Sequence, residues 1–141
     1  MKSKTVKVSI YLAIICALCT FVSMVVQMLI AFGAPLGEFV LGGAYIVAPP
    51  SNRLIHAGFS VLWGCVVLAY LIYSEVISIK KFAKVAHALV ILNTLFTLYA
   101  IVWNFFITSS IKETLLMGPL TLITTVCSII FLVIKRKLRK N

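Results

Sequence analysis

Four long apolar runs, each edged by small or polar side chains spaced alternately three and four residues apart, organise this chain. In the first run the edge is Ser9, Ala13, Cys16, Thr20, Ser23 and Gln27; in the third it is Ala83, Ala86, Val90, Asn93, Thr97, Ala100 and Asn104. The second carries Ala57, Ser60, Gly64 and Val67, and the fourth Gly118, Thr121, Thr125 and Ser128. Residues at that spacing share one face of an α-helix. In lipid no hydrophobic force draws helices together, so such faces meet through close backbone approach and interhelical hydrogen bonds. Seams of this period favour left-handed crossings near about +20°.

A bilayer core about 30 Å thick needs about 20 apolar residues in a helix. The runs at 8–32, 54–79, 85–108 and 115–134 all reach that length. Two of the three connections are tight turns, which forces neighbouring helices to run antiparallel. The predicted fold is an all-α membrane protein, an antiparallel up-down four-helix transmembrane bundle forming a single domain over 1–141. Pro119 is expected in the first turns of the fourth helix, where its missing N–H costs little.

The connection at 33–53 is the longest. Pro35 and the pair Pro49-Pro50 prevent one helix from crossing it. Between them the β-prone stretches 39–41 and 44–47 flank Gly42-Gly43, the signal of a β-hairpin with a two-residue glycine turn. Neither stretch alternates with polar residues, so such a hairpin must lie against the helix ends. An irregular capping loop is the other reading of the same residues.

Composition supports the membrane assignment. The chain is 62% hydrophobic and 11% charged, against about 25% charged in soluble domains. The net charge of +10 raises the question of nucleic acid, but its distribution points elsewhere. Lys2, Lys4 and Lys7 precede the first run; Lys80, Lys81 and Lys84 join the second to the third; Lys135, Arg136, Lys137, Arg139 and Lys140 follow the fourth. Only Arg53 and Lys112 fall on the other side, which by the positive-inside rule puts both termini in the cytoplasm. The basic tail is a partner for anionic lipid headgroups. No nucleic-acid partner is expected. The first run, 25 residues long, exceeds the ~7–15 residues of a signal-peptide core and is read as a retained span.

Candidate chemistry is sparse. Cys16 and Cys19 form a CxxC, but redox pairs of that kind rely on a helix N-terminus or a nearby cation to hold a thiolate. Here Ile14, Ile15, Ala17 and Leu18 surround them. The two histidines are isolated, so no metal site and no cofactor is expected. Glu75 and His87 lie symmetrically about the basic turn, which sets them at one depth in an antiparallel hairpin. They form a possible titrating pair for proton relay; the alternative is a structural ion pair between Glu75 and Lys80, Lys81 or Lys84. Small proton-coupled multidrug exporters are similar in size and span number but carry a glutamate deep in the first span. This first span holds no charged residue. On the outer face Gln27, Glu38, Tyr45, His56, Asn104 and Glu113 gather, and they could rim a shallow pocket under the 33–53 loop.

Two stretches resemble a known group of proteins. Gly33-Ala-Pro-Leu-Gly-Glu38, Gly42-Gly43, and Pro49-Pro50 followed by Arg53 make up the first. Thr108-x-Ser110-x-Lys112-Glu113, followed by Met117 and Pro119, makes up the second. Together they are similar to the outer loop and last turn of an uncharacterised family of small bacterial four-span membrane proteins. This chain departs from that pattern at Ala44-Tyr45-Ile46, where relatives often carry basic residues. The resemblance implies the topology and a place in the bacterial plasma (inner) membrane, and adds no mechanism.

The leading functional expectation is non-enzymatic: a binding, accessory or immunity-type protein acting on lipid, an amphiphile or a partner membrane protein. It could work as a homo-oligomer. A small oligomeric proton-coupled transporter using Glu75 and His87 is the second reading. A membrane thiol redox enzyme using Cys16 and Cys19 is the third.

Overall fold

The computed structural model describes residues 2–140, with side chains over 4–139. Met1 and Asn141, included in the single-domain reading, lie outside the described residues, as do the side chains of Lys2 and Lys140. Four helices run antiparallel: α1 (Lys2–Ala31), α2 (Pro50–Tyr73), α3 (Ala83–Val102) and α4 (Ile111–Lys140). α1 packs most extensively on α2 and also on α4, and α3 closes the ring against α2 and α4. All four are long and apolar enough to cross a membrane. α2, at 24 residues, spans about 36 Å at 1.5 Å per residue. α3 is the shortest and is lengthened by a π-helical turn, Trp103–Ile107. The chain is a transmembrane-type four-helix bundle.

The small and polar seams face inward. Every seam residue named above is buried or half-buried, while Tyr11, Leu18, Val61, Leu92, Leu95 and Val126 between them are exposed to the surroundings. Toward the end that holds the termini the interior is apolar, with Ala13, Cys16, Ala69, Ala86 and Val90 packed around Tyr70 and Phe131. At mid-bundle it becomes a hydrogen-bonded network. Asn93 Nδ2 donates to the Tyr70 hydroxyl at 3.0 Å, and that hydroxyl donates to Ser128 Oγ at 3.0 Å. Thr125 Oγ1 donates to Thr97 Oγ1 at 2.8 Å. Bonds of this kind contribute about 0.6 kcal/mol each in a bilayer, so the network is moderate glue that also fixes which helix faces meet.

The helix ends differ from those predicted. α2 begins at Pro50 because proline is well suited to the first helical position. It ends at Tyr73, short of 79, because Glu75 takes a left-handed φ of +70°. There the Glu75 N–H bonds Ile72 O and the Ile77 N–H bonds Leu71 O, as at many helix C-termini. α4 starts at Ile111, so Pro119 stands inside the helix and not in its first turns. In the turn around it the Thr121 hydroxyl bonds the carbonyls of Met117 and Gly118, both at 2.9 Å.

The 33–53 connection is not a β-hairpin; the irregular capping reading is the one observed. It holds two short 3-10 turns, Gly37–Phe39 and Leu41–Gly43. Leu41, Gly42 and Gly43 all have positive φ, at +52°, +76° and +71°. A hairpin turn uses two such residues between strands that pair. Here three in succession curl the chain, and one backbone bond, Gly37 N–H to Ile46 O at 2.9 Å, ties its two arms. Gly37 is pressed so closely on Tyr45 that a Cβ would lie 2.3 Å from the Tyr45 carbonyl oxygen.

Candidate functional site

At the loop end the bundle forms a partly open cavity of about 280 Å³. Its polar floor is formed by Thr20, Asn93, Thr97 and Thr124 of the seams, and Ser23 and Gln27 continue up the α1 side. Aromatic rings from α2, α3 and the π-helical turn form one wall: Phe59 and Trp63, then Phe96, Tyr99 and Trp103. Phe59 stacks on Trp63 at 6.3 Å, and Trp63 meets Phe96 at 5.1 Å. Val40 and Leu41 of the loop, with Asn104, Glu113 and Met117, surround the loop end of the space. From Glu113 to Thr124 is eleven residue steps along α4, about 16 Å of helix. The cavity is therefore elongated along the bundle axis.

Glu113 is 3% exposed. Its Oε2 accepts the Gly42 N–H at 2.7 Å and the Thr108 hydroxyl at 2.6 Å. It stands in the first turn of α4, where the helix dipole favours an anion. Among the described residues no cation pairs with it. Lys112, beside it in sequence, turns instead to Glu38 at 2.5 Å, and Arg53 donates to Ala48 O at 3.2 Å.

The two serines just before α4 hold the loop as well. Ser110 Oγ donates to Glu38 O at 2.5 Å, and Ser109 Oγ donates to Gly42 O at 3.2 Å. Gly43 lies so near that a Cβ on it would be 2.7 Å from Ser110 Cβ. The glycine loop on one side and the Thr108–Glu113 residues on the other thus form one docking.

A second polar relay lies behind the α1 wall. His56, fully buried on α2, accepts at Nε2 from the Tyr45 hydroxyl and donates from Nδ1 to Gln27 Oε1 at 2.5 Å. The amide oxygen can only accept, which makes Nδ1 the protonated nitrogen. Gln27 reaches the cavity; Tyr45 and His56 hold it in place.

Of the six residues expected to rim an outer pocket, Gln27, Asn104 and Glu113 line the cavity. Tyr45 and His56 support Gln27, and Glu38 faces Lys112 on the surface side. The space also extends to Thr20, Asn93, Thr97 and Thr124, beyond the residues expected. Glu75 and His87 are not joined. The Glu75 carboxylate, 80% exposed, pairs with Lys135 Nζ at 2.7 Å, and His87 stacks on Tyr73 with ring centres 4.7 Å apart. Lys80, Lys81 and Lys84 form no ion pair with Glu75, because the left-handed turn carries it to α4. Lys135 Nζ also lies 5.6 Å over the Tyr73 ring. Cys16 and Cys19 are free thiols; Cys16 is buried, with its Sγ 3.6 Å from Thr124 O. No group of three or more His, Cys, Asp or Glu side chains suited to a metal occurs among the described residues.

The aromatic wall escaped the sequence reading. Its signal was present: rings at 59 and 63, and at 96, 99 and 103, recur at helical spacing beside the seams. In a chain this apolar, such rings read first as lipid-facing. In comparisons with known proteins the chain matches no family, no curated protein and no solved structure.

Proposed function

We propose that this is a non-enzymatic binding protein of the bacterial plasma membrane that holds an amphiphile in the cavity at its loop end. One observation carries the reading: an elongated space whose wall is aromatic, whose floor is uncharged, and whose carboxylate stands at one end only. An apolar tail would lie along Trp63 and Phe96, with its polar head at the level of Gln27, Asn104 and Glu113. Sites for small molecules are commonly such largely apolar hollows with a few placed polar groups.

In this reading the basic end of the bundle faces the cytoplasm, following the positive-inside rule, and the cavity belongs to the outer leaflet. At the cytoplasmic end Arg136 and Arg139 line a cleft with His87 and Tyr73, a surface suited to anionic headgroups. An accessory or immunity role would follow from capture of an envelope-active amphiphile.

The chain's two tryptophans, Trp63 and Trp103, both line the cavity. Their fluorescence in nanodiscs is therefore a direct readout of occupancy. A brominated decyl amphiphile should quench them saturably, and Ala100→Leu or Ala100→Phe, which fill the space from α3, should remove the saturable part. Quenching that rises linearly with probe and ignores both variants would overturn the proposal.

A further inference from the structure

We infer that the amphiphile is cationic, an ammonium head on an apolar tail, with Glu113 as its counter-charge. This deepens the reading just given and depends on it. A carboxylate at the edge of an apolar interior is costly unless its charge is matched. Glu113 is almost fully buried and has two neutral donors, both on Oε2. Its Oε1 carries no hydrogen bond among the described residues and is not sealed off by the protein, and Lys112, beside it in sequence, is engaged by Glu38.

The surroundings suit a positive charge in a second way. Trp103, from the π-helical turn, and Tyr99, on α3 and partly exposed, both line the cavity. Aromatic faces attract ammonium groups through their quadrupole, and more strongly where water is excluded. Asn104, with its Nδ2 committed to Thr121 Oγ1 at 3.3 Å, leaves the partial negative charge of its amide oxygen for the head. An anionic head would meet the same carboxylate as a like charge. The loop residues Val40 and Leu41 then close over the head.

The test uses three probes with one decyl tail: decyltrimethylammonium, decanol and decyl sulfate. Each is titrated against Trp63 and Trp103 fluorescence in nanodiscs of neutral lipid, below its micellar concentration. Decyltrimethylammonium is expected to bind most tightly and decyl sulfate least. Glu113→Gln, which keeps an acceptor for Gly42 and Thr108, should weaken the cation about tenfold and leave decanol nearly unchanged. Leu41→Lys provides a second arm: it leaves Glu113 in place and brings a tethered ammonium to the cavity mouth, so it too should remove the cation's advantage. Equal saturable binding of all three probes would overturn the charge assignment while leaving the amphiphile reading intact. No saturable binding of any probe would sink both. A cation preference that survives in Glu113→Gln and Leu41→Lys would assign selectivity to the rings and overturn the role of Glu113. Equal loss of decanol in Glu113→Gln would make Glu113 a loop fastener only.

Discussion

Oε2 of Glu113 accepts the backbone N–H of Gly42 at 2.7 Å, from a residue 71 positions earlier in the chain. The first connection of the bundle is thereby fastened to the third, over the end of the cavity. The tightest point of that fastening is Gly43, where a positive φ and the nearness of Ser110 both exclude a side chain. Gly43→Ala should cost about 1–2 kcal/mol from backbone conformation alone. Thermal unfolding in detergent measures it, and limited proteolysis at 33–53 should speed up in parallel. Unchanged melting and unchanged cleavage would mean that the loop is not held there.

The Tyr45–His56–Gln27 relay makes a spectroscopic prediction. Histidine nitrogen NMR should show His56 neutral with the proton on Nδ1, since Gln27 Oε1 only accepts. Tyr45→Phe removes the donor to a buried Nε2 and should destabilise by about 1–3 kcal/mol. A proton found on Nε2 in the wild-type protein would contradict the arrangement.

Tyr70 joins Asn93 of α3 to Ser128 of α4. Tyr70→Phe keeps the ring's packing against Phe131 and deletes both bonds. At about 0.6 kcal/mol per bond, its loss should be close to 1 kcal/mol in a bilayer-mimicking unfolding assay. A loss several times larger would show the network to be cooperative beyond its separate bonds.

Lys135 is 10% exposed at its side chain, whereas its partner Glu75 is 80% exposed. A pair that reaches solvent through one partner is worth under about 1 kcal/mol. Glu75→Gln should therefore lower the melting temperature slightly and leave tryptophan quenching unchanged. In vesicles with an imposed pH gradient, the same variant decides the transporter alternative: coupled uptake that it abolishes would favour transport over binding.

The CxxC gives a plain expectation. With Cys16 buried in the bundle core and bonded toward Thr124 O, maleimide labelling of Cys16 and Cys19 should not change between oxidising and reducing conditions. Labelling that switches with redox state would revive the enzyme reading.

The architecture was legible because lipid leaves so few ways to satisfy a helix. Ser9, Cys16, Asn93, Thr97, Thr125 and Ser128 could be assigned to the interior from spacing alone, and they are all buried. Gln27, Asn104 and Glu113 were legible as a polar group at one end of the bundle for the same reason. The loop was not, because Phe39, Val40 and Leu41 favour strands while what decides their path is Glu113, far along the chain, taking the Gly42 N–H. The partner of Glu75 was hidden likewise. Counting residues from the turn set it level with His87, and a single left-handed φ turned it toward Lys135. The cavity depends on which rings stand apart, and spacing cannot report a gap.

The docking of the glycine loop on α4 also bears on the order of assembly. α1 and α2 form one hairpin and α3 and α4 another, and each can enter the bilayer by itself, as helices do before they associate. The contacts of Gly42 and Gly43 with Ser109, Ser110 and Glu113 exist only once the two hairpins have met. Until then Glu113 lacks the Gly42 donor and the loop's backbone is open to water. Docking of the loop thus requires both hairpins to be in place, and it ties a correctly joined pair of halves.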